Sequence, residues 1–133
     1  MTKDDVREYI AAFNRKDYPG FGKYYAEDVK LSLSGKRTLT SRDQILDFYR
    51  EVATKCDEKL EITKLVVDDE GVAVEVKTEF KGLVDDPSFI AGPLVPRQSI
   101  FITSRIFYTI RNDQFAEIDA LRVGDVRTGP ASF

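Results

Sequence analysis

The chain has 133 residues, 42% of them hydrophobic, which is the length and apolar content of one domain around one core. Its 20 Lys and Arg are intermixed with 23 Asp and Glu for a formal charge of −3, so there is no basic stripe to hold a phosphate backbone, and nucleic acid is excluded as a partner. Histidine is absent, which removes Ser-His-Asp and Cys-His triads, histidine-ligated metals and imidazole acid–base chemistry together.

Thr2 is placed to cap a first helix, with Asp4 and Asp5 favourable at its positive end. Val6, Tyr9, Ile10 and Phe13 then recur at helical spacing. Residues 14–20 break the helix, and a short second one carries Phe21, Tyr24 and Tyr25. Val29, Leu31 and Leu33 alternate with polar residues as a strand, and Ser34, Gly35 and Lys36 form a turn. Ser41 caps a third helix with the stripe Ile45, Phe48, Tyr49 and Val52. Beyond Asp57 the period changes, and Leu60 to Val67, Val72 to Phe80, Ser99 to Ile110 and Phe115 to Val123 are predicted as four long strands. The one long irregular connection, Val84 to Gln98, is either a lid over a pocket mouth or a structured crossover.

Helices followed by a strand meander predict a single α+β domain: three helices packed on a strongly curved antiparallel sheet that forms a cone-shaped barrel with an internal pocket. The core spans about residues 3–123, with a short tail over 124–133. Strand Ser99 to Ile110 is apolar on both faces, which predicts a homodimer through the outer sheet face. No apolar run approaches the roughly 18 residues of a membrane span. The single cysteine, Cys56, and the lack of a signal-peptide pattern point to a reducing, cytoplasmic setting. Cys56 has no activating cationic neighbour in sequence other than Lys55, so it reads as inert.

The stretches Tyr-Ile-Ala-Ala-Phe-Asn-Arg-Lys-Asp (residues 9–17), Tyr-Tyr-Ala-Glu-Asp-Val (24–29) and Ile-Leu-Asp-Phe-Tyr (45–49), with the order of elements, resemble the SnoaL-like family of the nuclear-transport-factor-2-like superfamily. The resemblance covers the chain to about Val123 and rests on residues that encode packing. Isomerases, cyclases, dehydratases, epoxide hydrolases and non-catalytic binders all share that fold, so it does not decide the chemistry. A scytalone-dehydratase-like mechanism needs histidines. In a ketosteroid-isomerase-like pattern Tyr9 takes the tyrosine position, but the base falls at Leu33 and the later acid near Arg105. Limonene-epoxide-hydrolase-like positions fall near Val76, Thr78 and Ala120. For a SnoaL-type cyclase, Asp119 and Asp125 lie near the required aspartate, with Asp119 on the wrong parity.

The resemblance implies a pocket lined by Val76, Thr78 and Phe80, by Phe101, Thr103, Arg105 and Phe107, and by Ile118, Ala120 and Arg122. Phe13, Tyr24, Phe48 and Tyr49 would close it, with Tyr9. Such an aromatic pocket with two arginines suits a hydrophobic ligand bearing a carbonyl or carboxylate. The expected function is an isomerase or cyclase working by acid–base chemistry on a polyketide- or terpenoid-like metabolite, without cofactor or metal. Tyr9, Arg105 and Arg122 would polarise oxygen and Asp119 would move the proton. Asp28, Asp85 and Asp86 are further candidate bases. A non-catalytic binding module of the same fold and a dimeric protein-interaction domain remain as alternatives.

Overall fold

Thr2 caps the first helix as the sequence predicts. In the computed structural model of residues 1–133, the Asp5 amide donates to Thr2 Oγ1 at 3.1 Å and the Thr2 amide donates back to Asp5 Oδ2 at 2.8 Å. This reciprocal cap satisfies donors that helix geometry leaves free. The helix, α1 (Lys3–Asn14), buries Val6, Tyr9, Ile10, Ala12 and Phe13. A short α2 (Tyr18–Gly22) stops before Tyr24, and Tyr25 instead starts strand β1 (Tyr25–Leu33). Strand β2 (Arg37–Leu39) returns antiparallel to β1. Helix α3 (Arg42–Lys55) is capped by Ser41, whose Oγ accepts from the Gln44 amide at 3.1 Å.

Four long strands follow: β3 (Cys56–Val67), β4 (Gly71–Gly82), β5 (Gln98–Arg111) and β6 (Gln114–Pro130). Strand β3 starts at Cys56 rather than Leu60, directly off α3, and the added residues include Glu58. Strand β6 runs to Pro130, so most of the expected tail is strand, paired with β5 from Ile100↔Thr128 to Gln98↔Pro130.

The sheet order is β2-β1-β6-β5-β4-β3, antiparallel throughout except for the parallel β1–β6 pair. The strongly curved sheet under three helices is as expected; its cone is open, with β2 and β3 as edges, and the β1–β6 pair makes it mixed where an antiparallel sheet was expected. A parallel neighbour needs a long crossover. Here the chain between β1 and β6, including α3 and three long strands, is that crossover.

Directly opposed residues of an antiparallel pair face the same side of a sheet. Val72, Val74, Val76, Thr78 and Phe80 are buried, which marks the concave, helix-covered face of β4. Thr78 opposes Ile102 and Val76 opposes Ser104, so the concave residues of β5 are Ile100, Ile102, Ser104, Ile106 and Tyr108. Phe101, Thr103, Arg105 and Phe107, expected inward, lie on the convex face. A one-residue step in register exchanges the two faces of a strand completely. On β6 the expectation holds: Tyr108 opposes Ile118, Ile106 opposes Ala120 and Ser104 opposes Arg122.

Two apolar clusters fill the concavity. The larger lies under α1 and includes Tyr9, Tyr25, Val74, Tyr108 and Phe115; the smaller joins Val52 and Cys56 to Phe80, Phe89, Leu94 and Ile100. No helix is long and apolar enough to cross a membrane.

Candidate active site

A cavity of about 90 Å³ opens between these clusters. Phe80, Ile102, Ser104 and Ala120 form its sheet wall, and Phe48, Tyr49 and Val52 of α3 face them. Ser34, Lys36 and Arg122 stand at the side where exposed residues meet the cavity. The connection after β4 supplies Phe89, Ile90 and Ala91 as a further wall. That connection is a built structure. Asp86 and Leu94 exchange backbone hydrogen bonds of 3.1 and 2.8 Å, Phe89 packs edge-on against Phe80 at 5.4 Å, and Lys55 holds the Asp86 carboxylate at 3.3 Å.

The titratable acid of this cavity is Glu58, which the sequence reading did not single out. Strand alternation from Ile62 through Leu60 carries position 58 to the concave side. The end of α1 then fixes that stretch of β3: the Asn14 amide side chain donates to the Leu60 carbonyl and accepts from the Leu60 amide, both at 2.8 Å, and Lys16 Nζ donates to the Glu58 carbonyl oxygen at 2.6 Å. The Glu58 side chain is consequently held inside, 9% exposed. Burial pushes its pKa up from 4.5 to about 7, opposed only by the positive charge of Lys16. A carboxyl there is poised to give and take a proton near neutrality.

Tyr49 lines the same cavity. Burial, and next the negative charge of Glu58, hold its phenol well above the ordinary value, so it remains a protonated donor. Glu58 and Tyr49 also border a much smaller recess of about 10 Å³ with Phe13, Lys16 and Cys56. Burial pushes the Cys56 thiol up to about 12, which makes it unreactive, as expected. No three His, Cys, Asp or Glu side chains converge on a common point where a metal ion would sit.

Of the residues predicted from sequence, Phe48, Tyr49, Phe80, Ala120 and Arg122 line the cavity. Val76, Thr78 and Ile118 are concave and buried but lie outside its lining. Phe13 belongs to the smaller recess. Tyr9 sits in the larger cluster, its hydroxyl 2.8 Å from that of Tyr25, and Tyr24 stacks over Phe115 next to it. Neither reaches the cavity.

The convex placements remove several expected roles. Arg105 is 60% exposed and donates to Glu75 Oε1 at 3.1 Å, an outer-face ion pair. Phe101 lies beneath the Arg127 guanidinium at 4.1 Å, and Phe107 and the opposed Asp119 face solvent. Asp28 pairs with Arg111, and the Ser88 amide, followed by Lys55, holds the Asp86 carboxyl below its usual range; Asp85 and Asp125 are exposed. Leu33, where a ketosteroid-isomerase-like base would fall, does line the cavity, but as an apolar wall.

Residues 6–118 match the family model described as the SnoaL-like domain. No curated protein matches the sequence. Among solved structures, a proposed polyketide cyclase of Xanthomonas campestris superposes with a TM-score of 0.76 at 20% identity, over 89% of this chain and 87% of that one. A proposed polyketide cyclase of Pseudomonas putida gives 0.74 at 22% identity, over 90% of each chain. An epoxide hydrolase of the limonene-hydrolase-like type from M. tuberculosis gives 0.73 at 8% identity, over 90% and 80%. At these identities the likeness is one of fold.

Proposed function

For a chain that belongs to the SnoaL-like domain family, we propose an enzyme that moves a proton on a small carbonyl-bearing metabolite, an isomerase or cyclase in which Glu58 is the proton carrier. The observation that carries this reading is a buried carboxyl and a protonated tyrosine on one apolar cavity. Ionised Glu58 takes the proton from the carbon next to the carbonyl, becoming a neutral acid. The electron pair of that C–H bond passes into the carbonyl, and the developing oxyanion accepts a hydrogen bond from Tyr49. Glu58 then returns the proton to a different carbon, or the enolate carbon attacks a second carbonyl in the same molecule, closing a ring, and the alkoxide so formed takes the proton back from Glu58. Proton, electrons and carboxyl are all restored.

The cavity sets the substrate's size. At about 90 Å³ it is smaller than the ~150 Å³ cavity that admits benzene, so it takes a short chain or single ring extending to the mouth. The test is exchange of carbon-bound hydrogen for deuterium in a panel of small cyclic ketones and oxo acids, followed by NMR. Wild type accelerates exchange for at least one of them, and Glu58→Gln lowers that rate by roughly 10²–10⁴-fold, the contribution of a positioned base. Unchanged exchange in Glu58→Gln would sink the assignment.

We propose also that two copies pair through the convex face. Phe107 and Leu121 are 58% and 47% exposed there, among Lys77 and Arg105 and the acids Glu75 and Asp119. A two-fold contact matches a patch to itself, and a patch carrying both charges meets that requirement. Wild type is then expected at twice the chain mass by light scattering and Phe107→Glu at one chain mass, its folding preserved; a monomeric wild type refutes the pairing.

A further inference from the structure

The cavity's two ends have opposite character. The inner end carries buried Glu58 and half-buried Tyr49, whereas Lys36 is exposed on the turn between β1 and β2 and Arg122 is half-buried on β6. The mouth is firmly made. Ser34 and Gly35 adopt φ of 49° and 69°, the Ser34 amide donates to the Ala120 carbonyl at 2.7 Å, and the Arg122 amide donates to Ser34 Oγ at 2.9 Å. This ties the turn carrying Lys36 to the strand carrying Arg122. Arg37, the next residue, lies over the ring of cavity-lining Phe48 at 5.2 Å.

None of Lys36, Arg37 and Arg122 takes part in any of the protein's ion pairs. In a chain with more acids than bases, three cations without carboxylate partners at one mouth form a local positive field. The only acid on the cavity wall is Glu58, at the buried end and close to half-protonated at neutral pH.

We infer that the mouth is a carboxylate subsite and that the ligand is an organic acid, its carboxylate held by Arg122 and Lys36 and its apolar part directed inward past Phe48 toward Tyr49 and Glu58. Guanidinium is the side chain that matches a carboxylate in two hydrogen bonds, and the ammonium adds a point charge beside it. The polarity is productive. An anchor at the mouth places the far end of a short oxo acid at the proton carrier and keeps the ligand's negative charge away from a carboxyl that must itself ionise. This inference rests on the proton-transfer reading for the identity of the inner end, though not for the subsite itself.

The experiment is calorimetric titration of the full chain with phenylacetate, cinnamate and short oxo acids, each compared with its uncharged amide. The acids are expected to bind at least about tenfold more tightly than their amides, as charge-assisted hydrogen bonds imply. Arg122→Gln is expected to erase that preference, and Lys36→Gln, on an exposed turn, to reduce it without affecting folding. Raising the salt concentration should narrow the gap. Equal binding of acid and amide, or no binding by any acid at millimolar concentration, overturns the subsite. The two readings fail separately. A preference for acids together with full deuterium exchange in Glu58→Gln leaves the subsite standing without the proton carrier. The absence of any preference, with exchange lost in Glu58→Gln, does the reverse.

Discussion

Glu58→Gln is expected to unfold at a higher temperature than wild type at pH 8 and at nearly the same temperature at pH 4.5. The direction follows from proton binding. Glu58 titrates at about 7 when folded and at about 4.5 when unfolded, so between those values the folded state holds more protons. Stability rises with pH only where the unfolded state binds more protons; here the reverse holds, and this group's contribution falls as pH climbs from 4.5 through 7. The difference between the two values corresponds to a cost on the order of 3 kcal/mol, fully present above pH 7 and absent below 4.5. A neutral amide of the same shape escapes it. For a domain of this length the gain at pH 8 is roughly 10 °C. The groups around the carboxyl are Lys16 and its ion-pair partner Asp57 at 3.5 Å, Cys56 behind it and Tyr49 across the cavity; among them only the Lys16 charge favours ionisation. Thermal unfolding of both proteins across pH 4.5–8 checks this, and a difference in melting temperature that does not change with pH would mean Glu58 is not held out of water. Such a cost, tolerated at one position, is what a functional carboxyl entails.

Helix stripes and caps were legible because they depend on residues three and four apart. Thr2, Ser41 and the α1 stripe fell where spacing placed them. Site residues depended on register, which is set across strands. Val76 and Phe80 of β4 and Ala120 and Arg122 of β6 were read on the correct face, whereas β5, with large apolar residues on both parities and a bulge between Phe101 and Thr103, offered no pattern that distinguishes in from out. Hence the sequence pattern puts Arg105 in the pocket and leaves Ser104 out of it. Glu58 was missed for a different reason. A strand start at Leu60 left it in a presumed loop, yet Leu60 and Ile62 share its parity, and continuing their alternation two residues back would have put a carboxyl on the apolar face. A charge in phase with an inward stripe was the available signal. The parallel β1–β6 pairing had no local signature, because it joins strands more than eighty residues apart.

Phe115→Ala should be the most destabilising single change among the aromatic residues, and it should leave the cavity's binding intact. Phe115 is 0% exposed at the point where β6 joins β1, opposite Tyr25. Its ring lies 4.4 Å from that of Tyr108 and 5.0 Å from that of Tyr9, and its amide donates to the Tyr24 carbonyl at 2.7 Å. Truncation leaves a void bounded by four tyrosines, Tyr9 on α1 and Tyr24, Tyr25 and Tyr108 at and along the sheet, so little relaxation can fill it, and the cost is about 3–5 kcal/mol. Against a total of roughly 5–15 kcal/mol for a domain, that is a large share. Urea unfolding measures it, and a loss below about 1 kcal/mol would mean the cluster is loosely packed. Tyr9→Phe is the decisive companion. Its hydroxyl meets Tyr25 inside this cluster and not the cavity, so its removal should cost about 1 kcal/mol and leave deuterium exchange and acid binding at wild-type levels. If Tyr9→Phe stayed stable but lost exchange, the chemistry would lie in the tyrosine cluster and not at Glu58.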